Sequence, residues 1–163
     1  MRAKEPPPAH AVKPLPGLPC ACAAARRAAR LVTQLYGEHL RPYGLEATQL
    51  ALLSALDSKP GRSQVKLARA LGLDKTTLSR NLKLLETNGW VASEPVDGRR
   101  EAGLYLTTAG QRLVKKSHAG WSNAQQQLRS AMTRAEWDAM WNGLHLLTRA
   151  THEIAANRDR PAP

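Results

Sequence analysis

Phenylalanine is missing from this 163-residue chain, and aromatic side chains make up only 4% of it, four Trp and three Tyr. The 42% hydrophobic content is carried chiefly by Leu and Ala, which favours helices over strands. Two cysteines are too few for a disulfide framework or a four-thiolate zinc site. The five histidines are dispersed, and no two are spaced i, i+4 as on a metal-binding helix, so no metal is expected. Acids are scarce, 13 against 24 Lys and Arg, for a net charge of +11. No run approaches the roughly 18 apolar residues of a membrane span. Prolines break up the N-terminal stretch, which excludes a signal peptide, and a cytoplasmic location without membrane contact is expected. There is no Gly-rich phosphate loop, no HExxH, no GxSxG and no carboxylate pair in an apolar setting, so neither enzyme chemistry nor a cofactor is expected.

What is present centres on residues 62–107. Leu67 and Leu71, then Leu78, Leu82 and Leu85, recur at the three- and four-residue spacing of one helical face. Gly72 ends the first run as a C-cap, and Asp74 opens the second as an N-cap able to accept from the N–H of Thr76 or Thr77. Two short helices joined through a glycine make a helix-turn-helix. With Leu78 inward and about 100° per residue, Thr76, Arg80 and Lys83 point outward, flanked by Thr77 and Ser79, with no carboxylate until Glu86. Such a face suits base edges and phosphates. Asn88 and Gly89 stop the helix, residues 90–92 and 104–106 read as short strands, and residues 97–100 form the turn between them. An arginine on that hairpin, Arg99 or Arg100, is placed to enter a minor groove.

The order LARALGLDKTTLSRNLKLLETNGWV, DGRR, LYLTTAG, with GLEATQLALLSAL before it, resembles the MarR family of bacterial winged-helix transcription regulators over roughly residues 22–156. The most specific part is the wing running into LTxxG, here Leu106, Thr107 and Gly110. Glu46 stands where the family usually has Thr or Ser. Counted back from Thr107, Arg100 takes the family's wing-arginine position. The resemblance implies control by a small aromatic effector in a cleft between dimer helices and winged domain, where Tyr36, His39, Tyr43 and Trp121 are the candidate lining. It also implies that a cysteine near the start of the first helix can sense peroxide in some relatives.

Six of the eleven prolines fall in residues 1–19, which read as a flexible tail, as do residues 158–163. Residues 20–45 form a first dimerisation helix, closed by Pro42 and Gly44, and residues 46–107 the winged DNA-binding domain. Lys59, Pro60 and Gly61 read as a plain turn within it. Residues 108–157 form two further helices, the first capped by Thr107 and the second opened by a capping box from Thr133 to Glu136. On the last, Trp137, Met140, Leu144, Leu147, Thr151 and Ile154 repeat at 3, 4, 3, 4, 3, the seam of a helix that pairs with another. The expected fold is therefore mainly α with a small β-hairpin wing, a winged helix-turn-helix joined to a helical dimerisation layer.

Cys20 and Cys22 stand near a helix N-terminus and near Arg26 and Arg27, a setting that favours thiolate and makes them redox candidates. Two residues apart on a helix they would point about 200° from each other, which disfavours a bond between them. The expected function is a homodimer that binds double-stranded DNA at a pseudo-palindromic operator. Lys75, Thr76, Thr77, Ser79, Arg80, Lys83, Arg99 and Arg100 would be in contact, and a small-molecule or oxidative signal would release a repressor. The alternatives are a winged-helix protein-interaction module, which would need an apolar outward face, and a non-specific DNA-binding protein without effector response.

Overall fold

The computed structural model describes residues 20–96, 98 and 101–158. Six helices and one hairpin follow in order: α1 Ala21–Leu40, α2 Ala47–Ser58, α3 Gln64–Leu71, α4 Lys75–Thr87, β1 Val91–Glu94, β2 Gly103–Leu106, α5 Thr108–Ser130 and α6 Arg134–Arg158. Among the described residues, 20–124 form one compact unit and 125–158 a second.

In the first unit the absence of Phe is met by leucine. Leu40, Leu45, Leu50, Leu52, Leu53, Leu56, Leu67, Leu78, Leu82, Leu85 and Leu104, with Val91, form one buried cluster. Each such burial is worth about 1.5–3 kcal/mol against exposure. Helix α2 sits inside the cluster, burying Leu50, Leu52, Leu53 and Leu56 over an arc of about 160°. Its start carries Glu46 rather than a hydroxyl, and there Gln49 Oε1 accepts from the Glu46 N–H at 2.9 Å. The third residue of the helix thus closes the cap from inside it.

The expected caps form. Gly72 ends α3 in the left-handed region at φ +63°, which a side-chain-free residue adopts without strain. Gly89 ends α4 likewise at φ +69°. There Gly89 N–H donates to Glu86 O and Trp90 N–H to Leu85 O, each at 2.9 Å, the paired bonds of a Schellman ending. Trp90 therefore finishes the helix and is not part of the ladder, and β1 begins one residue later than the sequence pattern suggests. The strands pair antiparallel from Val91 with Leu106 to Glu94 with Gly103. A third segment joins them. Leu104 N–H donates to Arg62 O at 3.0 Å and Gly61 N–H to Leu104 O at 2.9 Å, so the expected turn of residues 59–61 forms and leads directly into a bridge between Arg62 and β2.

The LTxxG signature acquires a physical role here. Thr107 N–H donates to Trp90 O at 3.0 Å, and its hydroxyl donates to Gly89 O at 2.6 Å while accepting from Gly110 N–H at 3.1 Å. One threonine caps α5 and fastens it to the end of α4. Gly110 is needed because a Cβ there would lie 2.1 Å from the Trp90 carbonyl oxygen.

In the second unit, Arg129 lies over the Trp137 ring at 5.4 Å and donates to Met132 O at 3.1 Å, bracing the connection into α6. Glu136 accepts from the Thr133 N–H at 2.8 Å and from its hydroxyl at 2.9 Å, and returns its own N–H to that hydroxyl at 3.2 Å. The capping box is complete. It holds the Glu136 carboxyl below its ordinary pKa, first through the Thr133 N–H and then through its hydroxyl. Along α6, Trp141 packs edge-on to Trp137 at 6.1 Å. Further on, Leu144, Leu147 and Ile154 are 49%, 41% and 57% exposed, an apolar stripe uncovered within the chain.

Candidate nucleic-acid interface

The recognition face is built on α4 by division of labour between its two sides. Leu78, Leu82 and Leu85 are sunk in the leucine cluster, and this turns Lys75, Thr76, Ser79, Arg80 and Lys83 to solvent. Within the described residues, no hydrogen bond or ion pair engages the side chains of those five. The first three turns carry three cations and no acid, and the positive end of the helix dipole adds to their field. Glu86 follows in the last turn, away from the end that would meet a groove.

Thr77 differs from its neighbours. It is half-buried, its N–H donates to Asp74 Oδ1 at 2.8 Å and its hydroxyl donates to Asp74 Oδ2 at 2.6 Å. Asn81, one turn on, donates from Nδ2 to the Thr77 carbonyl at 2.9 Å. Sequence reasoning found the cap but missed Asn81; its only signal is the i, i+4 spacing from Thr77. The Thr77 hydroxyl, and next its N–H, hold the Asp74 carboxyl below the usual aspartate range, so it is ionised at neutral pH.

Arg99 and Arg100, the expected wing cations, lie outside the described residues, as does Asp97 of the same turn and the tail of residues 1–19. A cleft of about 520 Å³ opens beside α4, lined by Val65, Ala68 and Arg69 of α3, Lys75 and Leu78 of α4, and Ser93, Glu101 and Ala102 around the hairpin. The sequence offered no sign of it, because its lining comes from three separated segments.

The four expected effector residues are only partly brought together. Gly120 of α5 lets the chain end of α1 come close, since a Cβ there would meet the His39 carbonyl oxygen and Tyr43 Cε2, each at 2.6 Å. Tyr43 lies in a short 3-10 turn, Arg41–Tyr43, after α1 rather than on it. Trp121 is exposed, its ring 5.4 Å from that of His118. Tyr36 is half-buried, and burial raises its phenol pKa. Neither the cleft beside α4 nor a second one of about 490 Å³, lined by Gln34, Gly37, Glu38, Arg41 and Gln49 among others, is lined by Tyr36, His39, Tyr43 or Trp121.

Cys20 and Cys22 are free and exposed. Cys20 is the extended N-cap of α1, at φ −118°, not a helical residue. The angular separation expected of two helical positions therefore does not govern its side chain. Among the described residues, no three His, Cys, Asp or Glu side chains are grouped to hold a metal ion, and no helix is long and apolar enough to cross a membrane.

A family model described as MarR family matches residues 43–100, the segment from the end of the turn after α1 through β1, stopping before β2. An uncharacterised HTH-type transcriptional regulator of Bacillus subtilis, YwoH, is 26% identical over 102 residues, 63% of this chain and 74% of that protein. Among solved structures, the transcriptional regulator MosR of M. tuberculosis in complex with DNA superposes with a TM-score of 0.75 at 29% identity, covering 83% of this chain and 98% of that one. A cysteine-to-serine mutant of MarR from E. coli, complexed with operator DNA, gives 0.72 at 23% identity over 77% of this chain and 91% of that one, a likeness of fold. The matched proteins are transcription regulators, not enzymes.

Proposed function

We propose that the chain is a DNA-binding transcription regulator of the MarR family, which its likeness to that family's model and to known regulators supports, and that it acts as a homodimeric repressor. It binds a pseudo-palindromic operator and releases it on a chemical signal. The observation that carries this reading is the outward face of α4. Cations and hydroxyls stand exposed on a helix whose opposite side is locked into a leucine core, and the first three turns carry no acid to repel phosphate. Thr76, Thr77, Ser79 and Arg80 read base edges, Lys75 and Lys83 hold phosphates, and Arg99 or Arg100 probes the minor groove.

The uncovered stripe of Leu144, Leu147 and Ile154 supports self-association, as do the exposed Leu31 and Val32 on α1. Two reading helices related by a two-fold axis then meet major grooves about 34–36 Å apart. Occupying a promoter in this way excludes polymerase, which is the sense in which the protein represses. For the releasing signal, the exposed thiols of Cys20 and Cys22 suit an oxidant; a small aromatic effector is the other signal, with Tyr36, His39, Tyr43 and Trp121 its candidate contacts.

The test is Arg80→Ala, measured by fluorescence anisotropy on DNA from upstream of the protein's own gene and on scrambled DNA. Specific binding should fall by roughly 10- to 100-fold, as for loss of a bidentate base contact, with non-specific binding nearly unchanged. An equal loss on both DNAs reduces Arg80 to a phosphate contact. Repeating the wild-type titration with peroxide, and with a panel of phenolic acids, separates the two signals.

A further inference from the structure

Thr77 is the third residue of α4, within the turn that a recognition helix presents to base edges. Its hydroxyl has its polarity already decided within the protein. An ionised aspartate has only acceptor oxygens, so in the 2.6 Å contact between Thr77 Oγ1 and Asp74 Oδ2 the shared proton comes from the threonine. The arrangement is held at two more points. Asp74 Oδ1 takes the Thr77 N–H at 2.8 Å, and Asn81 Nδ2 donates to the Thr77 carbonyl at 2.9 Å. A hydroxyl has one proton and two lone pairs. With the proton given to Asp74, Thr77 faces outward as an acceptor alone. Thr76 and Ser79 are not so constrained: within the described residues their hydroxyls have no partner, and they can turn to donate or accept.

We propose that Thr77 reads an exocyclic amino group in the major groove, adenine N6 or cytosine N4, and that Asp74 is the positioning residue that fixes this polarity. The assignment rests on the DNA-reading function proposed above. Guanine presents N7 and O6 and thymine O4 at its groove edge, all acceptors, which set lone pairs against lone pairs. The contacted strand therefore carries A or C at one position of each half-site, and G and T are rejected there. Two bases pass and two fail, a partial discrimination that a freely rotating hydroxyl does not produce.

The experiment is selection of binding sites from a random duplex pool by the full-length wild-type protein and by the Thr77→Val and Asp74→Asn variants. Wild-type sites should show one position per half-site restricted to A or C. Thr77→Val keeps the shape and loses the oxygen; it should abolish the restriction at that position alone and weaken the selected site roughly three- to ten-fold, one hydrogen bond's worth. Asp74→Asn keeps a good N-cap but offers an amide donor to Thr77 Oγ1, which turns the threonine proton outward. Its preference at the same position should move toward G or T. A purely structural cap predicts weaker binding with an unchanged base preference in Asp74→Asn, and that result overturns the assignment. So does a wild-type preference for G or T at the position that Thr77→Val relaxes, or a Thr77→Val variant that relaxes no position. A wild-type pool with no enriched site refutes sequence-specific reading itself, and the Thr77 assignment with it.

Discussion

Replacing Gly110 by alanine should destabilise the protein, although helix propensity argues the opposite. Gly110 lies in the first turn of α5, and an alanine inside a helix is normally favoured over glycine by about 1 kcal/mol. Here the added methyl would stand 2.1 Å from the Trp90 carbonyl oxygen, where an ordinary contact begins near 3.4 Å. The obstacle is backbone, at the junction of α4 and β1, so no rotamer relieves it. Forcing a methyl into packed surroundings costs about 1–3 kcal/mol. The required displacement also stretches the Thr107 bonds to Trp90 O and Gly89 O, at 3.0 and 2.6 Å, each worth about 0.5–1.5 kcal/mol. Set against the propensity gain, the net loss is about 1–5 kcal/mol. Urea unfolding followed by far-UV circular dichroism, at one protein concentration and with unchanged m, measures it. Gly37→Ala is the internal control. A Cβ at that helical position meets nothing within 4 Å, so this variant should gain up to about 1 kcal/mol. A Gly110→Ala protein as stable as its parent refutes the clamp between α5 and the end of α4.

Thr107→Val removes the hydroxyl that both caps α5 and bonds Gly89 O; it should cost about 1–2 kcal/mol in the same unfolding assay. Folded-state pKa values below the unfolded ones, as for Asp74 and Glu136, give stability that is present above the unfolded carboxylate value and lost as pH falls through the folded one. The stability difference between wild type and Asp74→Asn should therefore shrink as pH falls through and below the ordinary aspartate range, and a difference that widens toward acid contradicts the cap. The Leu144→Glu, Leu147→Glu double variant places charge on the uncovered stripe of α6; under the proposed self-association, light scattering should find a dimeric parent and a monomeric variant with weaker operator binding.

The fold was largely readable because its signals are local. Gly72, Asp74, Gly89 and Thr133 each act within a few residues of themselves, as does Thr107 where it caps α5 through the Gly110 N–H, and the structure has them where spacing puts them. What escaped depends on partners distant in the chain. Residues 60–62 have a turn's composition, yet Gly61 and Arg62 are tied to Leu104, more than forty positions on. Trp90 has a strand-former's side chain, but its N–H and carbonyl are taken by Leu85 and Thr107. The reading face was legible as a list of outward residues. Its polarity was not: whether a threonine donates or accepts is set by the geometry of Asp74 and Asn81 around it.

The clamp at Gly89 and Trp90 gives α4 two unlike ends. Its heel is riveted to another helix through main-chain carbonyls that Thr107 holds. Among the described residues, the side-chain hydrogen bonds at its toe, the end proposed to meet DNA, come from residues 74–81 of its own chain segment. A helix mounted in this way works like a stylus clamped at the shaft: the tip can settle into a groove while its bearing is taken from α5. Sequence changes at the tip then alter what is read, and changes at Thr107 or Gly110 alter where the tip points, so the two kinds of variation can accumulate independently.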